Sequence, residues 1–396
     1  MAKKVTKRAA KTNLIERLRA IPGPLATVKD ADALHSALAE IQNIESTPAL
    51  RKLAKPATKE LVRLVDASLA APFDESFEPA VMFALKLLAF FAQADGAEAI
   101  VRAAKLPYAP ESYMWSIVLD FIGSGHPHAS KAFAALKDPL PEGFLAISLL
   151  DAGNTACREY ELEEHPFDSA DGAARLEALL CITDPDELSY AVSACASLPF
   201  IAPRRASKLM KIAAAHDSPL MRMEVAWVQA KLGKSAGVKF LASAALNPHD
   251  STQACDYLAE LGLEDKVPEE AKHPDFVAMA SMCNWLAHPN EYGEPPTSIS
   301  LFDSRSIYWP PAGKKVRAWL FEYTYGKSAW RKKKETGVGI AGPMLWALFD
   351  EAKPEMKPET LYGLYCEVAL AWNDDKRAPN KLTGAKGWKL IAAGKK

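Results

Sequence analysis

The chain has 396 residues, 49% of them hydrophobic, and a formal net charge of −1. This is enough apolar material for an extended array or for two to three globular domains. The longest apolar run, Val81 to Ala92, is broken by Lys86 and is too short for a bilayer, which argues against a membrane span. The charge is uneven: residues 1–19 sum to +6 and residues 376–396 to +7, leaving −14 on the body between them.

Residues 1–11 read as a disordered basic leader with no apolar core segment of a signal peptide behind it. The six cysteines stand singly, with no Cys-x-x-Cys pair, as expected of a protein in a reducing cytoplasm. Apolar spacing and Pro/Gly punctuation, including Pro56, predict helices over 13–20, 29–44, 57–69, 79–93, 97–105, 111–122, 129–136, 143–150, 155–162 and 172–181. Four His-Pro pairs, at His126, His165, His273 and His288, mark inter-helix corners, because the residue before proline is pushed out of the α region.

From Leu176 to Gly262 the pattern becomes periodic. Asp184, Asp217 and Asp250 recur every 33 residues, each expected to cap the start of an alanine-rich helix. Their apolar stripes are Leu188/Ala191/Val192/Cys195, Met223/Ala226/Trp227/Ala230 and Ala254/Tyr257/Leu258/Leu261. The last two end in Leu232-Gly233 and Leu261-Gly262, where glycine suits a C′ position. Partner helices over 203–215 and 235–246 complete two-helix units too small to stand alone, so neighbouring units must stack. The last helix of the array is expected over Pro274 to Leu286.

The stretch Asp217-Ser-Pro-Leu-Met-Arg222-Met-Glu224-Val-Ala-Trp-Val-Gln-Ala-Lys-Leu-Gly233 resembles a HEAT repeat of the short kind found in bacterial HEAT-like proteins. Asn247 to Gly262 is similar, although Gln253 or Cys255 stands where a second arginine is wanted. The resemblance implies a mostly α fold, an armadillo-like, right-handed superhelix of helix pairs forming a HEAT-like α-solenoid over 12–290. It also implies an interaction surface on the second helices, with Arg222 and Glu224 as contact residues. Related short-repeat proteins include chromophore lyases and DNA glycosylases. The His-Glu pairs of the HEAT-like di-iron hydroxylases are missing here.

From about Ser298 the period shifts to two. Val316 to Tyr325 alternates faces and predicts a strand, with companions over 299–309 and 338–349, the last holding Pro343 at a bulge or edge. A helix over Glu359 to Trp372 is expected to pack on the aromatic face of Arg317, Trp319, Phe321, Tyr323 and Tyr325, or else on the opposite face of Val316, Ala318 and Leu320, which would leave the aromatic face as a ligand platform. This makes a small C-terminal α+β domain on an antiparallel sheet over 291–375, followed by a frayed basic tail over 376–396.

No residue pattern assigns catalysis, a metal or a cofactor. His126 and His128 form the only tight histidine pair, without a third ligand nearby. Glu159, Glu161, Glu163 and Glu164 are expected to scatter around a solvated helix. Two stretches carry binding chemistry. Trp330, Arg331, Lys332, Lys333 and Lys334 place an aromatic ring beside four charges at a hairpin tip, and Arg305, Tyr308 and Trp309 follow Asp303 at a rigid corner. The leading expectation is a non-catalytic scaffold for a protein partner. The alternative is nucleic-acid binding through the basic ends and the Trp330–Lys334 loop.

Overall fold

The computed structural model describes residues 14–25, 29, 32–34, 36, 47–71, 78–106, 109–327, 331–348 and 353–394. The leader over 1–11 and most of the helix expected over 29–44 lie outside them. The described chain is mostly helical, with a four-stranded antiparallel sheet near its C-terminus. It divides into two compact units, residues 1–228 and 229–396.

The first unit holds α1 (Thr47–Leu69), α2 (Glu78–Phe91), α3 (Ala94–Ala104), α4 (Trp115–Gly123), α5 (Ala129–Leu136), α6 (Gly143–Glu159), α7 (Ala170–Leu180), α8 (Leu188–Ala196), α9 (Pro203–Ala214) and the start of α10 (Pro219–Lys231). α1 runs through Pro56, which the sequence reading took as a break. Leu53, Ala57, Leu61, Leu64 and Val65 keep one buried face across it, and that burial offsets the lost backbone donor. Likewise the helices expected over 143–150 and 155–162 are one helix, α6, because Leu145, Leu149, Ala152 and Ala156 continue a single buried stripe.

Packing in this unit follows chain order. α2, α4, α6 and α8 touch in succession, as do α1, α3 and α5, and α7 touches α9. α4 and α6 come closest: a Cβ on Gly123 would lie 2.5 Å from the Ala152 carbonyl, so no larger residue fits at that crossing. Each buried leucine of these stripes is worth about 2 kcal/mol of transfer free energy.

The second unit contains α11 (Ser235–Ala244), α12 (Ser251–Glu260), a single turn α13 (Glu269–Lys272), α14 (Pro274–Leu286), strands β1 (Ser298–Trp309), β2 (Lys314–Tyr325), β3 (Glu335–Ala341) and β4 (Trp346–Leu348), then α15 (Pro358–Trp372) and α16 (Ala385–Ala393). The strands form an antiparallel meander in chain order. The returning strand expected over 338–349 is two strands, with Pro343 in the turn between them.

Both faces of the sheet are covered, which corrects the expected packing. Phe321, Tyr323 and Tyr325, with part-buried Trp319, lie against Ala278, Met282 and Leu286 of α14. The opposite face, Ala318 and Leu320 with Val316 at its edge, lies against Leu361, Tyr362 and Tyr365 of α15. α14 was assigned to the end of the helical array, yet nearly all its sides are apolar and it packs on α12 as well as on the sheet.

A bulge between Leu301 and Asp303 lets β1 serve both cores. Ile299 and Leu301 face α14, and after the extra residue Ile307 and Trp309 face α15.

The C-terminal segment expected to fray is an ordered helix. A Cβ on Gly363 would sit 1.9 Å from the Gly384 carbonyl, and one on Gly387 2.0 Å from the Gly363 carbonyl, so three glycines let α16 cross directly on α15. The fully buried Glu367 accepts the backbone N–H groups of Thr383 (2.7 Å), Gly384 (2.8 Å) and Gly387 (2.9 Å). These include donors of the first turn of α16, which a helix leaves unsatisfied and which a carboxylate complements.

Candidate functional site

Two of the three expected corner aspartates do not cap their helices. Asp184 Oδ1 accepts the Asp186 N–H (3.0 Å) within its own turn. Asp250, at the N-cap of α12, accepts from Asn247 Nδ2 (2.6 Å) and makes no bond to the first helical turn. The acceptors at several corners are imidazoles instead. Nδ1 of His126, His165, His216, His273 and His288 each accepts the backbone N–H two residues on, at 3.1, 3.1, 3.1, 3.4 and 3.2 Å. With Nδ1 accepting, the proton is on Nε2. His216 uses it on the Ile182 carbonyl (2.9 Å) and His165 on Asn154 Oδ1 (3.2 Å). Burial lowers the His165 pKa to about 3 and the His126 pKa to about 4.

The helix ends of the repeat do match. Gly233 and Gly262 both have positive φ, and the paired bonds Lys234 N–H to Gln229 O (2.8 Å) and Leu263 N–H to Leu258 O (2.8 Å) close the same C-terminal turn twice.

On the first unit, α4 and α6 leave an open groove of about 380 Å³ lined by Ser116, Ile117, Asp120, Ser148, Asp151 and Thr155. Helical spacing puts Ser148, Asp151 and Thr155 on one stripe of α6, and Ser116, Ile117 and Asp120 on the matching stripe of α4. Outside its lining, the rings of Tyr113, just before α4, and of Phe90 on α2 are exposed, and Phe90 makes an edge contact with Phe121 of α4 (6.2 Å). Two carboxylates and an aliphatic side chain on a rigid helix pair suit contact with a cationic, partly apolar segment.

Of the residues singled out from sequence, Arg222 is exposed on α10, but Glu224 is only 1% exposed. Glu224 sits where α10 is buried nearly all round, between Met223 and Val225, out of reach of a partner's surface. Trp227 itself carries the Arg158 guanidinium over its ring at 4.1 Å.

Arg305 is consumed within the fold. It pairs with Asp303 through Nε (2.7 Å) and with Glu359 through Nη1 (2.8 Å), while Tyr362 OH donates to Asp303 (2.8 Å). Trp309 is buried against Tyr365 (4.7 Å), and Tyr308, on the other face, meets Gly394 at the end of α16.

Trp330 lies outside the described residues. Arg331 is 13% exposed, 4.2 Å above the Tyr325 ring, and paired with Glu294 (2.5 Å) and Glu335 (3.2 Å), so it fastens the β2–β3 connection instead of offering a charge to a ligand. Lys332, Lys333 and Lys334 remain exposed. The Tyr292 and Tyr323 hydroxyls share a hydrogen bond (2.9 Å) beneath this staple.

His126 and His128 stand 5.7 Å apart ring to ring, and among the described residues no three His, Cys, Asp or Glu side chains converge as metal ligands would. Only Glu159 of the acid cluster is helical. Glu161, Glu163 and Glu164 lie in the following loop, where Glu164 pairs with Lys137. The six cysteines are free thiols, and no described helix is long and apolar enough to cross a membrane.

Two features escaped the sequence reading: the α4–α6 groove, and the Glu367 anchor of α16. The groove needs two helices in register, which a single stripe does not specify. Glu367 stands in an otherwise apolar run, Leu361 to Leu370, and that isolation was the available signal. No protein-family model matches the chain, and no curated protein matches it.

Proposed function

We propose that the first unit is a solenoid of short HEAT-like repeats acting as a non-catalytic protein-interaction scaffold, with the stripe of its even-numbered helices as the docking face. The observation that supports this reading is the α4–α6 groove: an open surface lined by Ile117 with Asp120 and Asp151. The successive contacts from α2 to α8 agree with it, because stacked helices present a continuous surface that grows with every added unit. The partner contributes a basic, partly apolar segment, and the acidic body favours its approach.

A photo-crosslinking amino acid placed at Ile117 in cells tests this, with Lys208 on the exposed side of α9 as control. Discrete adducts at Ile117, absent at Lys208 and abolished by Asp120→Lys with Asp151→Lys, are the expected result. Equal or no adducts at the two positions would overturn the reading.

A further inference from the structure

Positive charge gathers at one end of the second unit. The Arg377 guanidinium donates to the Pro310 carbonyl (3.1 Å), tying the loop after α15 to the β1–β2 turn. Lys386 of α16 donates to the Ala378 carbonyl (3.3 Å), and Gly394 beyond α16 lies against Tyr308, the partner of Lys315 across the strands. The turn, the loop and α16 therefore converge. They carry Lys314, Lys315, Lys376, Lys381, Lys386 and Lys389, all exposed. No ion pair within the described residues neutralises any of these six; Arg377 alone is paired, with Asp375 at 2.7 Å.

Trp372, the last residue of α15, opens onto this loop with 68% of its surface exposed. An indole left in water at the start of this loop contributes little to folding.

We propose that this end of the second unit binds single-stranded nucleic acid, the lysines holding phosphates and Trp372 stacking on a base. An anionic bilayer fits less well. The apolar residues of α16, Ile391 with Leu390 and Trp388, pack inward on α15 and the sheet, so the helix has no apolar face to insert. The acidic body between the two basic ends disfavours a polyanion over most of its surface.

The test is fluorescence anisotropy of the full chain with labelled 12-mer oligo(dT) and its RNA counterpart across a salt series. Binding is expected to weaken with salt at a log–log slope of about −3 to −4, since each neutralised phosphate on a single strand contributes about −0.7. Lys386→Glu with Lys389→Glu, both on the exposed side of α16, should weaken binding at least ~10-fold and flatten the slope. Trp372→Ala should weaken it by roughly 5- to 10-fold with the slope unchanged. Lys332→Glu with Lys333→Glu, at the other end of the sheet, should change nothing. Thermal melts check that each variant is folded. The proposal falls if no anisotropy rise appears at 50 mM salt and about 50 μM protein, if the Lys332/Lys333 pair carries the effect, or if phosphatidylserine vesicles bind the chain while the oligonucleotides do not.

Discussion

Residues 47–228 and 229–396 solve the packing problem in different ways. In the first unit a helix finds its partners among the next one or two elements of the chain. In the second, Arg305 is held by Glu359, 54 positions away, and Arg377 reaches back 67 positions to Pro310. Local contacts make a structure that loosens piecewise, whereas distant contacts closing on one sheet make a structure that holds or fails together. The first unit has spare surface along its helices. The second has its sheet covered on both faces, and its free chemistry lies at the rim.

The sharpest way to break this contrast is Glu367→Ala. It strands two buried backbone donors and one part-buried one, at about 1–3 kcal/mol for each buried donor, so roughly 4 kcal/mol should be lost from the second unit. Urea denaturation should show that loss, and hydrogen exchange should show β1 losing protection along with α16. Protection lost only over 385–393 would mean the unit is less cooperative than its long-range contacts imply.

Leu149→Ala in α6 should cost about 3 kcal/mol, with increased exchange confined to α4, α6 and α8. A uniform rise across the first unit would erase the distinction.

Acid should act on the first unit through His165 and His126. The folded pKa of His165, about 3, lies below the ordinary 6.5, so the unfolded chain takes up the proton more readily. Stability is full above about pH 6.5 and falls as pH drops toward 3. For His165 alone the loss is about 2 kcal/mol by pH 5, at about 1.4 kcal/mol per unit. Asp168 and Lys137 act on this ring with opposite signs, so burial dominates. Paired melts of the wild type and His165→Phe at pH 7 and pH 5 would measure it, the variant showing the shallower acid dependence.

The smallest effect belongs to Asp250→Ala. An N-cap would lose about 1 kcal/mol, but a side chain bonded only to Asn247 should lose under about 0.5 kcal/mol. A larger drop would restore the aspartate to the role its 33-residue spacing suggested.

Much of the helical pattern was legible because a buried stripe such as Trp115, Val118, Leu119 and Ile122 is written at fixed spacing. Three of the four strands were legible too, through the alternation of Val316 to Tyr325 and its neighbours. The partners of these faces were not. Alternation says that β2 has an aromatic side and an aliphatic side, but when both are buried it cannot say which helix covers which. Nor does composition separate a solvated basic tail from α16, whose order depends on Gly363, Gly387 and Glu367 meeting across 20 or more residues. Arg305 and Arg331 looked like ligand groups because cations beside rings are what ligands need. Asp303 and Glu335 stand within four positions of them, but the partners that complete the pairing, Glu359 and Glu294, were too far along the chain to be seen by inspection.

β1 changes sides at its bulge, so its length is locked to the single residue. Deleting Ser304, which unlike the bulge residue Phe302 is paired in the ladder, would turn every later position by half a pleat, swinging Arg305 away from Glu359 and aiming Ile307 and Trp309 out of the core they complete. Substitution along this strand is tolerable wherever size and polarity are kept, but a change of one among its paired residues is not. Natural variants of this protein should therefore differ in β1 by exchange of residues and not by gaps.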